Sequence, residues 1–430
     1  MELTLLIGAG LLTTAAFGLA ALATRSDTPP NVIPFLGLVL GLLGTAHVVV
    51  RRLAPMAEPT LLPLVAFLNG IGYVMIARLN ENFAGRQSVW TLAGLVAFAT
   101  TLVAFRDIRR LEQYRYLLAL TGTALLLLPL LPIIGQEIRG ARIWISLGLF
   151  TIQPGEFAKV VLTMFLAGYL VDKRELLTIS TRRVAGLHVP DLRHFGPLGL
   201  AVAVALLVMV AERDLGSSLL FFTLFVVMMY LATSRLAYVL GGFGFFMAGS
   251  VVAYQMFGHV QRRVSAWLDP FADVNDSGFQ VAEAAFAMAD GGLLGTGLGE
   301  GTPDVIPAVT TDMIFAAIGE ELGLVGAAAI LVCFMLFVGA GFRVAMVASD
   351  PFEKLVAGGL TALLGFQVIV IVGGVTRLLP LTGVTLPFVS YGGSSLVANY
   401  VILAILIRIS DSAVRRQPVT SSADPTYFGQ

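Results

Sequence analysis

The chain has 430 residues, of which 57% are hydrophobic and 13% charged, and its mean hydropathy is +0.87. Soluble globular domains carry about 25% charge, so this composition excludes an ordinary water-soluble fold and makes the bilayer the solvent. The 27 basic and 27 acidic residues cancel, and the single cysteine, Cys333, lies in an apolar run. No global field gathers nucleic acid, and no disulfide framework or cysteine-based metal site is available within one chain.

A hydrocarbon core of about 30 Å requires about 20 apolar residues per helix. Runs of that kind predict about twelve spans in an all-α polytopic membrane protein. They lie near residues 3–24, 32–50, 60–79, 88–105, 116–134, 155–171, 195–211, 215–233, 236–257, 314–342, 354–376 and 386–408. The first run lacks the basic start of a signal peptide and a second follows closely, so it reads as a mature span. Short basic loops stay on the cytoplasmic side. Placing both termini there puts Arg51, Arg52, Arg106, Arg109, Arg110, Arg115, Lys173, Arg174, Arg182, Arg183, Arg193, Arg343, Arg415 and Arg416 in the cytoplasm.

Five segments carry polar groups where apolar sequence is expected. Gly140–Gly148 holds Arg142 and Trp144 and reads by itself as an interfacial anchor on the outer face. In Gln153-Pro-Gly-Glu-Phe-Ala-Lys159, Glu156 and Lys159 are three apart and share a helix face at the start of a span. They read equally as a neutralised intramembrane ion pair or as a substrate lining. Glu212-Arg-Asp214 sits between two spans.

The long loop 258–312 is expected outside the cell, with a short amphipathic helix near 279–289. The glycines at 295, 297, 299 and 301 lack the strand and the Lys-Ser or Lys-Thr of a nucleotide loop, and they favour a flexible turn. Next, Asp312 stands at the outer mouth of a span, with Glu320 and Glu321 about two turns further in. A helix cap and a functional carboxylate explain Asp312 equally well, whereas a cap does not explain the other two. Finally, Pro380, Gly383 and Pro387 interrupt the stretch from Leu379 to Ser395, which includes Ser390. Broken backbone of this kind lines cavities.

Taken in order, these segments resemble the RodA/FtsW/SpoVE (SEDS) family over about Gly140 to Ile409, most specifically in Pro380-Leu-Thr-Gly-Val-Thr-Leu-Pro-Phe-Val-Ser-Tyr-Gly-Gly-Ser-Ser395. Gly155, Met313 and Ile371 stand where the family usually has Ser, Phe and Asn. The ending is closer to the RodA branch. The resemblance implies a family core over 56–410 and two additional N-terminal helices within 1–55, and the polar end of the chain is expected to form a disordered cytoplasmic tail over 411–430. It further implies polymerisation of lipid II, the undecaprenyl-pyrophosphate-linked disaccharide-peptide, into glycan strands in cell-wall elongation, beside a class B penicillin-binding protein in the bacterial inner membrane.

By the same resemblance Asp312 is the essential acid, Glu156 and Lys159 a functionally important pair, and Arg142, Trp144 and Asp214 further motif positions. Glu320 and Ser390 belong to the same motifs. For the leaving pyrophosphate, Arg142, Arg262, Arg263, Arg377 or a divalent cation such as Mg or Mn carried by the diphosphate are the candidates for charge stabilisation. Other readings are a flippase or transporter, a noncatalytic scaffold for the penicillin-binding protein, and the division-type member of the same family.

Overall fold

A computed structural model describes residues 1–24, 32–138, 140–146, 148, 150–178, 182–184, 187–189, 214–274 and 278–416. The helices are α1 (Glu2–Thr24), α2 (Val32–Leu53), α3 (Leu61–Leu79), α4 (Glu81–Ala104), α5 (Arg115–Leu127), α6 (Pro154–Thr178) and α7 (Leu215–Thr233). They continue with α8 (Leu236–Met256), α9 (Gly258–Leu268), α10 (Phe279–Gly291), α11 (Ile314–Val347), α12 (Pro351–Val375) and α13 (Gly393–Arg415). Among the described residues, 10 helices are long and apolar enough to cross a membrane. The fold is therefore an all-α polytopic membrane domain.

Two of the twelve expected spans are not among those ten. The run at 116–134 yields the 13-residue α5 and a short 3-10 turn over Leu128–Leu130, because Pro129 cannot continue the α-helical ladder. The run at 195–211 lies outside the described residues, as do Glu212 and Arg193. The last span starts at Gly393 rather than near 386, since the Pro and Gly residues before it hold the backbone open. Helix α13 also continues to Arg415 with Asp411 buried, so the first residues assigned to the C-terminal tail are ordered helix.

Helix starts follow local chemistry. The Asn80 side chain accepts from the amides of Asn82 and Phe83 to open α4. Asp350 does the same for Phe352 and Glu353 ahead of Pro351 in α12, and Asp214 caps α7 through the Ser217 amide at 3.0 Å. Between α5 and α6 the chain forms a three-stranded antiparallel sheet, β1 (Gly135–Ile138), β2 (Ala141–Ser146) and β3 (Thr151–Ile152). The expected interfacial anchor is thus a hairpin, with Trp144 opposite Gln136. A second small hairpin pairs β4 (Arg182–Val184) with β5 (Leu187–Val189).

The most buried spans are α13, α6, α12 and α3, and polar groups gather at the two ends of the bundle. At one end Arg408 donates to the carbonyls of Leu53 and Leu102, Asp411 accepts from the Met56 amide at 2.9 Å, and Arg416 pairs with Glu353 at 2.8 Å. The other end carries the β1–β3 sheet, Asp214, α9, α10, the start of α11 and the segment 376–392.

Candidate functional site

A cavity of about 270 Å³ lies among the middles of α1 to α4 and is walled almost wholly by apolar side chains, so it offers no reacting groups. A smaller cavity, about 230 Å³, holds the chemistry: Asp312, Arg262, Arg263, Trp267, Gln280 and Leu381 line it. Four separate stretches of chain supply these groups: α10 gives Gln280, and the other three carry the site's frame and charge.

The first stretch carries Asp312. Helix α11 begins at Ile314, its N-cap is Met313, and no side chain caps it. Asp312 therefore does not serve as the cap that a position near a helix start suggests. Its half-buried carboxylate accepts from the Thr311 hydroxyl at 2.6 Å. Ser390 bridges this stretch to the broken segment, accepting from the Leu386 amide at 2.8 Å and donating to the Thr311 carbonyl. The Tyr391 amide adds a bond to the Thr310 carbonyl at 2.8 Å. Ser390 thus holds the backbone that carries the acid and does not itself line the cavity.

The second stretch is α9, a helix inside the long outer loop 258–312. Arg263 and Trp267 are four apart on it and share a face. Arg263 donates to the Leu381 carbonyl at 3.0 Å, and Trp267 donates its indole N–H to the Arg377 carbonyl at 2.9 Å. Burial pushes the Arg263 guanidinium below its usual value, and the carboxylates of Asp214 and Asp312 pull it back up. An arginine stays charged through a shift of that kind, so the cavity presents a fixed cation beside Asp312, with the Asp214 carboxylate near enough to act on it. Arg262, next to it, reaches the cavity from an exposed position.

The third stretch is 376–392. Arg377 adopts φ +61, its guanidinium lies over the Phe271 ring at 5.6 Å in a cation–π contact, and it is not among the residues that line the cavity. Arg377 contributes its carbonyl to the site's frame rather than its charge.

The remaining expected residues fall outside this cavity. Glu156 and Lys159 form a closed pair at 2.9 Å, with side chains 5% and 3% exposed. Their helix start is joined to α13 where the Gln153 amide donates to the Ser394 hydroxyl at 2.9 Å. Arg142 and Trp144 are half-buried on β2. Glu320 is spent on structure: its carboxylate accepts from the Thr302 amide at 2.7 Å, and its carbonyl accepts from the Thr296 amide at 2.9 Å.

That last contact corrects the reading of 290–304 as a flexible turn. The Gly297 amide also donates to the Glu321 carbonyl at 3.0 Å, and the amides of Leu324 and Val325 donate back to the carbonyls of Gly292 and Leu293 at 3.0 and 3.1 Å. This interlock is possible because α11 is broken at Gly323, with φ +67, and a Cβ there would meet the backbone of Leu293 and Leu294. Among the described residues, no three His, Cys, Asp or Glu side chains gather to hold a metal ion.

A multi-pass bundle with a half-buried acid that caps no helix and a half-buried cation lining one cavity at one end of the bundle defines a class, and comparison with known proteins names it. The family model described as "Cell cycle protein", FtsW/RodA/SpoVE, matches residues 56–415, and the chain belongs to that family. It stands in the RodA branch: it is 47% identical over 426 residues to the peptidoglycan glycosyltransferase RodA of Mycobacterium tuberculosis, covering 96% of this chain and 91% of that protein.

Two solved structures share the fold. One comes from a study titled "Structural coordination of polymerization and crosslinking by a peptidoglycan synthase complex", with TM-score 0.68 and 28% identity over 83% of this chain and 98% of that one. The other is the rod shape determining protein RodA of Thermus thermophilus, with TM-score 0.59 and 26% identity over 84% of this chain and 98% of that one.

Proposed function

We propose that this chain is a peptidoglycan glycosyltransferase that joins the disaccharide units of lipid II into β-1,4 glycan strands during cell-wall elongation. The observation that carries the chemistry is Asp312, a half-buried carboxylate that is not used as a helix cap and shares a cavity with Arg263. Family membership supplies the reaction class.

The donor is an α-linked sugar pyrophosphate and the product is β-linked, so a single displacement with inversion suffices. The acceptor hydroxyl oxygen forms the new bond to the anomeric carbon and its proton passes to Asp312. The bond from that carbon to the pyrophosphate oxygen breaks, and the leaving group takes the electron pair. Pyrophosphate needs charge stabilisation more than protonation, and Arg263, held in place before substrate arrives, supplies it with Arg262 at the rim. A divalent cation, Mg or Mn, would enter on the diphosphate's own oxygens. The polyprenyl tails would lie between helices, against membrane lipid.

The positive-inside rule assigns the opposite end, with Arg51, Arg106, Arg109, Arg110, Arg415 and Arg416, to the cytoplasm. Both termini then face the cytoplasm of a bacterial inner membrane, and the site faces outward, where the precursor is used. The partner we infer is a class B penicillin-binding protein that crosslinks the strands. The likeness to a chain from a peptidoglycan synthase complex supports it.

The test is strand synthesis from purified lipid II by the chain reconstituted with that partner, comparing wild type with Asp312→Asn. Polymer from wild type and none from a folded Asn variant is the expected result. Equal polymer from both would remove Asp312 from the role of base. No polymer from either, in a reconstitution shown to be active with another polymerase, would favour transport of the precursor instead.

A further inference from the structure

The start of α11, just behind Asp312, is a stub of about two and a half turns between Ile314 and the break at Gly323. Ser390 and Tyr391 hold its outer end. Its inner end is held by an arginine on a different helix, which neither the composition nor the motifs single out.

Arg78, in the last turn of α3, places its guanidinium against three groups. Its Nε lies 2.6 Å from Glu321 Oε1, and the Glu321 side chain is 0% exposed. One terminal nitrogen donates to the Gly301 carbonyl at 2.5 Å, and the other lies 3.5 Å from Asp304. Glu321 Oε2 also accepts from the Gly299 amide at 3.1 Å. One planar cation therefore ties the kinked helix to Gly301 and Asp304, while Glu321 itself holds Gly299, and lysine cannot reproduce that fork of contacts. Among the described residues Arg78 is the cation paired with Glu321.

The clamp has a backing. A Cβ on Gly299 would fall 2.8 Å from Ala23 Cβ and 3.0 Å from the Ala20 carbonyl, so the loop rests on the outer end of α1. That helix precedes residue 56, where the family match begins.

We propose that Arg78 is a positioning residue for glycosyl transfer, fixing Asp312 by clamping the Glu321 end of its helical stub onto the glycine-rich loop. This rests on the polymerase reading above. A reacting group displaced by about 1 Å can cost about 10²-fold in rate, and a stub whose inner end keeps only its hydrogen bonds to the glycine-rich loop, without the guanidinium that ties both to α3, regains part of that freedom.

Three variants test it in the full-length chain with its partner: Arg78→Met, Arg78→Lys and Arg78→Met/Glu321→Gln. In Arg78→Met, kcat for strand synthesis should fall about 10- to 100-fold with KM for lipid II within about twofold. Amide exchange over 296–302 should speed up. Lysine should recover part of kcat because it keeps the charge beside Glu321, and the double variant should recover stability but not kcat.

A folded Arg78→Met with wild-type kcat, a loss carried by KM alone, or a lysine variant no better than methionine would each overturn the proposal. Should the methionine variant not fold, Arg78→Lys decides alone, and faster loop exchange with unchanged kcat overturns it. The exchange measurement needs no turnover. A wild type that makes no polymer therefore counts against the polymerase reading, while unchanged exchange in Arg78→Met counts against the clamp.

Discussion

Lys159→Met should destabilise the protein far more than its size change warrants. The Lys159 and Glu156 side chains are 3% and 5% exposed and meet at 2.9 Å, so methionine keeps the packing but leaves a carboxylate buried without its cation. Breaking such a pair costs about 3–5 kcal/mol, whereas replacing both partners with uncharged groups of similar volume is close to neutral. At 1.4 kcal/mol per decade, the single variant should raise the unfolding constant by roughly two to nearly four decades. Glu156→Gln/Lys159→Met should return to within about 1 kcal/mol of wild type. Reversible unfolding in mixed micelles, followed by tryptophan fluorescence, reads both. A single variant that loses under about 1 kcal/mol would show that water or lipid headgroups reach the pair, and a double variant that falls as far as the single would refute the charge argument altogether.

Arg263→Met should lower kcat for strand synthesis by about 10²-fold, the scale of one preorganised donor removed from a developing anion. Arg263→Lys should recover little, because the guanidinium must reach the Leu381 carbonyl and the cavity at once. An unchanged kcat in either variant would move the pyrophosphate elsewhere. Gly72→Ala tests the support beneath Ser390. A methyl there meets the Val389 backbone, which has no side chain to swing aside. The expected cost is about 1–3 kcal/mol with a parallel loss of strand synthesis, and wild-type stability and rate would show that the segment yields at no cost.

The spans were legible because the bilayer leaves one solution per apolar run, and α7, predicted at 215–233, is found as Leu215–Thr233. The errors fell where tertiary contacts decide. Helix α9 was missed because its apolar side is short and Arg262 and Arg263 break the pattern, although the i, i+4 spacing of Arg263 and Trp267 was a usable signal. The glycine-rich loop looked flexible because its partners, Glu320, Glu321 and Arg78, are distant in sequence, and no local rule connects them. Asp312 could be named from motif order alone, yet the sequence could not distinguish a cap from a free carboxylate. That distinction depends on one residue of helix register, with α11 beginning at Ile314 behind Met313.

The broken segment 376–392 also explains why its irregularity is necessary. A regular helix would consume its own carbonyls in i to i−4 bonds and leave none for other elements. Here the Arg377 and Leu381 carbonyls accept from Trp267 and Arg263, while a few residues on Ser390 and Tyr391 hold the backbone of Thr310 and Thr311. The cation on α9 and the acid ahead of α11 therefore come from different parts of the chain but are measured against one continuous stretch. Any substitution that lets 376–392 coil into helix would release Arg263 and Asp312 together, even though it touches neither.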